Sequence, residues 1–202
     1  MKLLFSPTSP YVRKCLATAI ELGLLDRIER VTVAAHPIQR DPSIIASNPL
    51  GKVPTLITDD GVALYDSRVI CEYLNDEAHG QLFPVSGPAR WQALTQQALG
   101  DGILDAALLA RYESTLRDEG LRSADWVAGQ MDKIATCLAQ LERDVGSLEG
   151  RVDIGTLSIG CALWYLDLRF ADLGWRDRHP SLARWQAGFS QRDSMRRDWS
   201  QA

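Results

Sequence analysis

Residues 2–14 read KLLFSPTSPYVRK, and this stretch decides the fold of the N-terminal part of the chain. The apolar run from Lys2 to Phe5 predicts a short β-strand that stops before the two prolines of the stretch. From Pro10 onward, apolar residues recur three and four positions apart on one face of a helix: Val12, Cys15, Leu16, Ala19 and Leu22. Pro10 falls in the first turn, where a missing N–H group costs nothing, so we expect Ser9 at the helix N-terminus.

Strand and helix signals continue to alternate beyond this stretch. Apolar runs predict strands at 28–33, 53–58 and 62–65. The Asp-Asp-Gly turn between the last two runs is typical of a β-hairpin. A short helical turn is expected at 43–46, and Asp66-Ser67 opens another helix. The predicted element order is β-α-β-α-β-β-α.

The rest of the chain shows only helix signals. The stretch 78–87, with its glycines and proline, predicts a linker, and the apolar positions of 127–145 fit an amphipathic bundle helix. Residues 154–166 carry no charge, which predicts a buried central helix capped by Asp153, with Thr156 reaching back to it. The predicted domains are 1–78, of the α/β class, and 88–202, which is all helical.

The composition of the 202 residues is that of an ordinary globular protein, with 46% hydrophobic and 24% charged residues. A net charge of −4 argues against an extended nucleic-acid-binding surface. The charge-free run 154–166 is too short to span a bilayer, and the apolar run after Lys2 is too short for a signal peptide. We therefore expect a cytoplasmic protein with no nucleic-acid or membrane partner.

The four cysteines, at 15, 71, 137 and 161, include no CxxC pair, so neither a zinc site nor a disulfide framework is predicted. We expect reduced thiols, with Cys15 packed on the apolar face of the first helix. The absence of a GxSxG motif, a P-loop and a Rossmann glycine fingerprint disfavours hydrolases and nucleotide-dependent enzymes.

Four blocks of sequence together reach both predicted domains: KLLFSPTSPYVRK at 2–14, NPLGKVPTL at 48–56, LYDSRVICEYL at 64–74 and DIGTLSIGCALWYL at 153–166. Their order and spacing resemble those of bacterial glutathione S-transferases, which have a thioredoxin-like N-terminal domain followed by a helical domain. The resemblance implies a homodimer that uses glutathione as a co-substrate, with no permanently bound cofactor and no metal.

The resemblance gives Ser9 a catalytic role, because a hydroxyl or thiol at this position faces the sulfur of glutathione in the family. The unpaired N–H groups and the dipole of a helix N-terminus favour an anion there. Lowering the thiol pKa by about two units from ~8.5 would make it mostly thiolate at pH 7. From the residues alone, Ser9 can also be only an N-cap, and one side chain can serve both roles.

Two further blocks would hold the glutathione peptide. The resemblance implies a cis Val53-Pro54 bond whose flanking N–H and C=O groups pair with the cysteinyl unit, whereas base rates alone favour a trans bond. Lys52 and His36 are candidates for binding the glycyl carboxylate, although a solvated lysine is an equal alternative. At Asp66-Ser67, the serine would hold the γ-glutamyl carboxylate and the aspartate the γ-glutamyl ammonium. A plain helix cap is the alternative for Asp66.

The electrophile pocket is less defined by the sequence. Its candidate residues are Tyr11, Asp101, Tyr112 and Trp164, each with a surface or core role as the alternative. Asp101 could also reach the amine of glutathione from a second subunit. On the helix after the linker, Leu99, Ile103, Ala106 and Ala110 form the predicted core face, and Asp101 and Tyr112 lie on the other face.

The leading functional hypothesis is a transferase that conjugates the glutathione thiolate to small electrophiles, by addition or aromatic substitution. A glutathione-binding or ligand-carrier module with little turnover is the second hypothesis. A glutaredoxin-like thiol transferase is the third, and the serine at position 9 argues against it, because that chemistry needs a cysteine there.

Overall fold

A four-stranded mixed sheet organises the N-terminal part of the chain in the computed structural model, which describes residues 1–197 and 199. The strands are β1 (Lys2–Phe5), β2 (Glu29–Thr32), β3 (Thr55–Ile57) and β4 (Ala63–Leu64), in the order β2-β1-β3-β4. β1 is parallel to β2 and antiparallel to β3, and β3 pairs antiparallel with β4. The predicted strands are confirmed: β1 has the predicted bounds, and the other three are shorter than predicted at both ends.

The helices are α1 (Pro10–Glu21), α2 (Pro42–Ile45), α3 (Ser67–Glu77), α4 (Gly87–Thr115), α5 (Ala124–Arg143), α6 (Ile154–Arg169), α7 (Trp175–Arg178), α8 (Pro180–Phe189) and α9 (Asp193–Arg196). Short 3₁₀ turns lie at Leu25–Arg27, Glu119–Leu121, Val145–Ser147 and Ala171–Leu173. The predicted order of strands and helices up to α3 is confirmed.

The chain divides into two compact units. The first consists of Met1–Trp91 together with Arg192–Ala202, and the second of Gln92–Gln191. The sequence pattern contains no sign that the C-terminal segment groups with the N-terminal residues. α4 also begins at Gly87, inside the stretch that was predicted to be a linker.

In the first unit, α1 and α3 pack against each other through small side chains. The Thr18 hydroxyl donates a hydrogen bond to the Cys71 sulfur at 3.3 Å, and the sulfurs of Cys15 and Cys71 lie 3.9 Å apart. Both cysteines are buried, which confirms the packing role predicted for Cys15. Other fully buried side chains of this core are Leu3, Phe5, Leu16, Leu56, Ile70 and Leu74.

The C-terminal segment is tied to α1 by polar contacts. The Arg192 guanidinium donates two hydrogen bonds of 2.8 Å to the Glu21 carboxylate. Arg13, which is 4% exposed, donates to the carbonyl oxygens of Met195 and Arg197. Hydrogen bonds between residues more than 170 positions apart in the sequence thus anchor α1, the helix that begins after Ser9.

We expect the pair of Glu21 and Arg192 to make stability depend on pH. The hydrogen bonds from Arg192, which outweigh burial, hold the pKa of Glu21 below its ordinary value. A carboxyl group with a lowered folded-state pKa stabilises the fold above its unfolded pKa of about 4.3 and loses that contribution as the pH falls further. The native chain should therefore have a higher melting temperature than Arg192→Gln at pH 7. The difference between the two melting temperatures should shrink as the pH falls toward about 3.5.

Arg196→Gln is the matched control for this experiment. It removes an exposed pair with Asp193 on the same segment, so it should change the melting temperature little at either pH. A margin between the native chain and Arg192→Gln that stays constant across the pH range would show that Glu21 does not titrate as expected.

In the second unit, α6 is buried along almost its whole length, as its uncharged sequence predicts. The predicted capping box is present at its start. The Asp153 carboxylate accepts from the N–H of Thr156 at 3.1 Å, and the Thr156 hydroxyl accepts from the N–H of Asp153 at 3.0 Å. The Asp153 carboxylate also forms an ion pair with Arg151, so this side chain both caps α6 and binds the segment just before it.

The faces of α4 differ from the prediction. Ile103, Ala106 and Ala110 are buried, as expected for the core face, whereas Leu99 is half buried. Asp101, predicted on the opposite face, is 1% exposed. Apolar periodicity cannot detect this part of the buried face, because it contains a glycine and a charged residue, Gly100 and Asp101.

Candidate functional site

The strand directions bring the predicted site residues of the first unit to one edge of the sheet. β1 and β2 are parallel and β3 runs against them, so the carboxyl ends of β1 and β2 lie beside the amino end of β3. The carboxyl end of β4 lies at the same edge, because β4 runs against β3. The segments at these ends carry Ser9, His36, Lys52, Val53-Pro54 and Asp66-Ser67.

Ser9 is the N-cap of α1. Its hydroxyl oxygen accepts a hydrogen bond from the N–H of Val12 at 3.3 Å, and its own N–H donates to the carbonyl oxygen of Ser6 at 3.1 Å. The residue is half buried. A hydroxyl has one hydrogen to donate besides its lone pairs, so the capping bond leaves that hydrogen available to an anionic ligand. The geometry therefore permits both predicted roles of Ser9 at once.

The Val53-Pro54 bond is cis, as the family resemblance implied. The loop before it is built around Asn48, which is 1% exposed. The Asn48 side-chain amide donates to the carbonyl oxygen of Lys52 at 3.1 Å and to the Thr55 hydroxyl at 2.9 Å. Sequence reasoning missed this residue, although the Asn-Pro pair at 48–49 is a turn signal that marks it.

Asp66 caps α3 by accepting from the N–H of Arg68 at 2.9 Å. It is exposed, whereas Ser67, the first residue of α3, is 2% exposed. The Tyr65-Asp66 bond is also cis. The Cys15 sulfur lies 3.9 Å from the Ser67 carbonyl oxygen, so the start of α3 packs directly on α1.

The two candidates for the glycyl carboxylate differ in how they are held. His36 is half buried, and its Nδ1 accepts from the N–H groups of Ile38 at 3.2 Å and Gln39 at 3.0 Å. In the neutral ring this arrangement places the proton on Nε2, which leaves Nε2 as a donor for a ligand. Lys52 is exposed, which agrees with either of its predicted roles.

The candidates for the electrophile pocket are divided between the units. Tyr11 belongs to the first unit, and Asp101, Tyr112 and Trp164 belong to the second, so their grouping in one pocket stays a prediction. Asp101 is buried, which does not suit a contact made from the surface of a second subunit. Burial raises the pKa of Tyr112, so its phenol keeps its proton at neutral pH.

Residues 1–197 and 199 contain no cluster of three or more His, Cys, Asp or Glu side chains that could ligate a metal ion. Among the helices of this range, none combines the length and hydropathy needed to cross a bilayer.

Comparisons with known proteins identify the family. The model of the glutathione S-transferase N-terminal domain matches residues 8–77, and that of the C-terminal domain matches residues 124–186. YibF, an uncharacterized GST-like protein of Escherichia coli strain K12, is 32% identical over 201 residues, which cover 98% of this chain and 97% of the relative. The chain belongs to the glutathione S-transferase family.

Solved structures of glutathione S-transferases agree with this placement. A family member from Pseudomonas fluorescens Pf-5 with bound glutathione is 45% identical, with a TM-score of 0.94 and 96% of each chain covered. A structure from the same source with bound S-(propanoic acid)-glutathione has the same identity and coverage and a TM-score of 0.89. The thioredoxin-like N-terminal domain and helical C-terminal domain of the glutathione S-transferase fold are thereby confirmed.

Proposed function

We propose that this glutathione S-transferase binds glutathione at the sheet edge described above and transfers it to small electrophiles. The observation that carries the proposal is the position of Ser9 at the N-terminus of α1, on the same edge as the cis Val53-Pro54 bond and Asp66-Ser67. The family member from Pseudomonas fluorescens Pf-5 supports it, because it is 45% identical to this chain and was solved with bound glutathione and with bound S-(propanoic acid)-glutathione.

In this proposal, the Ser9 hydroxyl donates a hydrogen bond to the glutathione thiolate, and the dipole of α1 adds to the stabilisation of the negative charge. The thiol proton leaves to water. The backbone of Val53 pairs with the cysteinyl unit, and Ser67 and Asp66 bind the carboxylate and ammonium of the γ-glutamyl unit. Lys52 and the Nε2 of His36 would bind the glycyl carboxylate.

The reaction then needs no general base of its own. The thiolate sulfur forms a bond to the electrophilic carbon, and either a leaving group departs with its electron pair or the electrons of a double bond move to a neighbouring carbon that water protonates. Ser9 acts in both cases by lowering the pKa of the thiol, which raises the fraction of nucleophile at neutral pH.

A glutathione-binding module with little turnover is the second candidate, since the same edge would bind glutathione without an acceptor. Calorimetric titration with glutathione, combined with turnover of 1-chloro-2,4-dinitrobenzene, separates the two. We expect binding and turnover. Binding without turnover would favour the module, whereas rapid reduction of a mixed disulfide would favour the thiol transferase that Ser9 argues against.

We also propose that the protein is a homodimer in the cytoplasm. The dimer follows from the family resemblance alone and is tested by sedimentation velocity at micromolar concentration. A monomer at that concentration would contradict it.

A further inference from the structure

The carbonyl group of Lys52 is fixed by two buried side chains. The side-chain amide of Asn48 donates a hydrogen bond to the Lys52 carbonyl oxygen at 3.1 Å, and the Thr55 hydroxyl donates to the same oxygen at 2.9 Å. Asn48 is 1% exposed, and Thr55 is fully buried. A carbonyl oxygen has two lone pairs, so both are occupied here by donors that are closed off from water.

Asn48 and Thr55 belong to a network in which the polar side-chain atoms are paired. The amide of Asn48 also donates to the Thr55 hydroxyl oxygen at 2.9 Å, and its Oδ1 accepts from the N–H of Leu50 at 3.0 Å. The backbone N–H of Asn48 donates to the carbonyl oxygen of Ile44 in α2 at 2.7 Å. A fully satisfied buried network is rigid. The position of the Lys52 carbonyl is thus set by α2 on one side and by β3 on the other.

The fixed carbonyl determines the direction of the next N–H group. The Lys52-Val53 peptide bond is trans, and in a trans peptide the C=O of one residue and the N–H of the next point in opposite directions. Because the Lys52 oxygen points toward Asn48 and Thr55, the N–H of Val53 points away from them. No residue within 1–197 and 199 accepts from that N–H, although Val53 is half buried. The N–H of Val53 is therefore open to a ligand.

We propose that Asn48 and Thr55 are positioning residues that aim the N–H of Val53 outward from the loop, and that the group it meets there is the carbonyl oxygen of the cysteinyl unit of glutathione. The second half of the proposal rests on the proposed function, whereas the first half does not. A peptide group that is oriented before the ligand arrives needs no ordering on binding, which favours affinity. Asn48 and Thr55 thus act on glutathione through Val53.

Four variants separate this role from a general contribution to stability. Thr55→Val keeps the shape of the side chain and removes its hydrogen bond to Lys52, whereas Thr55→Ser keeps the hydroxyl. Asn48→Ala removes the other donor, which keeps the test valid if Thr55→Val folds poorly. Thr58→Val is the matched control, because Thr58 is also buried and its hydroxyl oxygen accepts from the N–H of Val62 at 3.0 Å in the β3–β4 hairpin.

The matched ligands are glutathione and its (E)-alkene isostere, in which a CH=CH group replaces the amide between cysteine and glycine. The isostere keeps the thiol and both carboxylates but lacks the cysteinyl carbonyl. We expect the native protein to bind glutathione more tightly than the isostere in calorimetry. Thr55→Val and Asn48→Ala should each weaken glutathione binding about fivefold, as the loss of one hydrogen bond does, and isostere binding much less.

Thr55→Ser and Thr58→Val should leave the ratio of the two affinities unchanged. In turnover, Thr55→Val should raise the KM for glutathione and leave kcat near the native value. Equal losses for both ligands in Thr55→Val and in Asn48→Ala would overturn the second half of the proposal. Equal binding of both ligands by the native protein would also overturn it, while glutathione binding and the proposed function would stand.

Residual dipolar couplings of the ligand-free protein test the first half by itself, since the coupling of an N–H bond reports its orientation. The coupling of Val53 should change in Thr55→Val and Asn48→Ala and return to the native value in Thr55→Ser. An unchanged coupling in the first two variants would overturn the positioning role. If the couplings change as expected but the native protein binds neither ligand, the proposed function and the second half fail, and the first half stands.

Discussion

Ser9→Ala is expected to lower kcat/KM for glutathione conjugation about 100-fold, which is typical of losing one donor to a developing or stabilised anion. The dissociation constant of glutathione should change far less, because the peptide would keep its contacts with Val53 and the start of α3. The physical reason is the thiol pKa, which should rise toward its solution value of ~8.5 when the hydroxyl donor is removed. Calorimetry and steady-state kinetics measure the two quantities separately.

The thiolate itself provides a direct readout. The ultraviolet absorbance of bound thiolate, followed against pH, should give a higher thiol pKa in Ser9→Ala than in the native protein. Ser9→Thr keeps a hydroxyl and should recover much of the activity. Thr8→Ala removes an exposed hydroxyl from the preceding position and should have little effect.

Ser9→Ala also removes the cap of α1, since the Ser9 oxygen accepts a hydrogen bond from the N–H of Val12. Loss of such a cap costs about 1 kcal/mol, which is small compared with the stability of a typical domain. The variant should therefore fold, and its melting temperature reports the capping role independently of activity. If Ser9→Ala retains full activity and an unchanged thiol pKa, the catalytic assignment is wrong, and Tyr11 becomes the next candidate.

The thioredoxin-like half of the fold could be predicted because its signals are local. Pro10 marks the first turn of α1, and the Asp-Asp-Gly turn connects β3 to β4 in a hairpin, in which the N–H of Thr58 donates to the carbonyl oxygen of Val62. The start of α4 was missed for a reason that is also local. Gly87-Pro88 was interpreted as a linker, although a proline in the first turn is equally a helix start.

The attachment of the C-terminal segment to α1 could not be predicted from local sequence signals. Its attachment depends on Glu21, Arg192 and Arg13, which meet only after the chain has folded, and no periodicity links positions so far apart. The burial of Asp101 is hidden for a related reason, since a charged residue on a helix indicates an exposed face unless its surroundings are known.

Some residues of the candidate site were predicted, and others were missed. Ser9 and the cis Val53-Pro54 bond came from a resemblance to a family, since base rates alone favour a trans bond. Asn48 was missed because its role lies in hydrogen bonds to Lys52 and Thr55, which depend on the shape of the loop.

Gly100→Ala and Gly102→Ala, two residues apart on α4, are expected to change stability in opposite directions. A Cβ on Gly100 would lie 2.7 Å from the backbone of Ser158, so the helices must move apart, at a cost of about 3 kcal/mol. A Cβ on Gly102 would meet nothing within 4 Å, so alanine there should stabilise the helix by about 0.5–1 kcal/mol. Urea denaturation measures both changes.

Each variant is the control for the other, because both add one methyl group to the same helix. If Gly100→Ala is as stable as the native protein, α4 and α6 do not approach as closely at Gly100 and Ser158 as described.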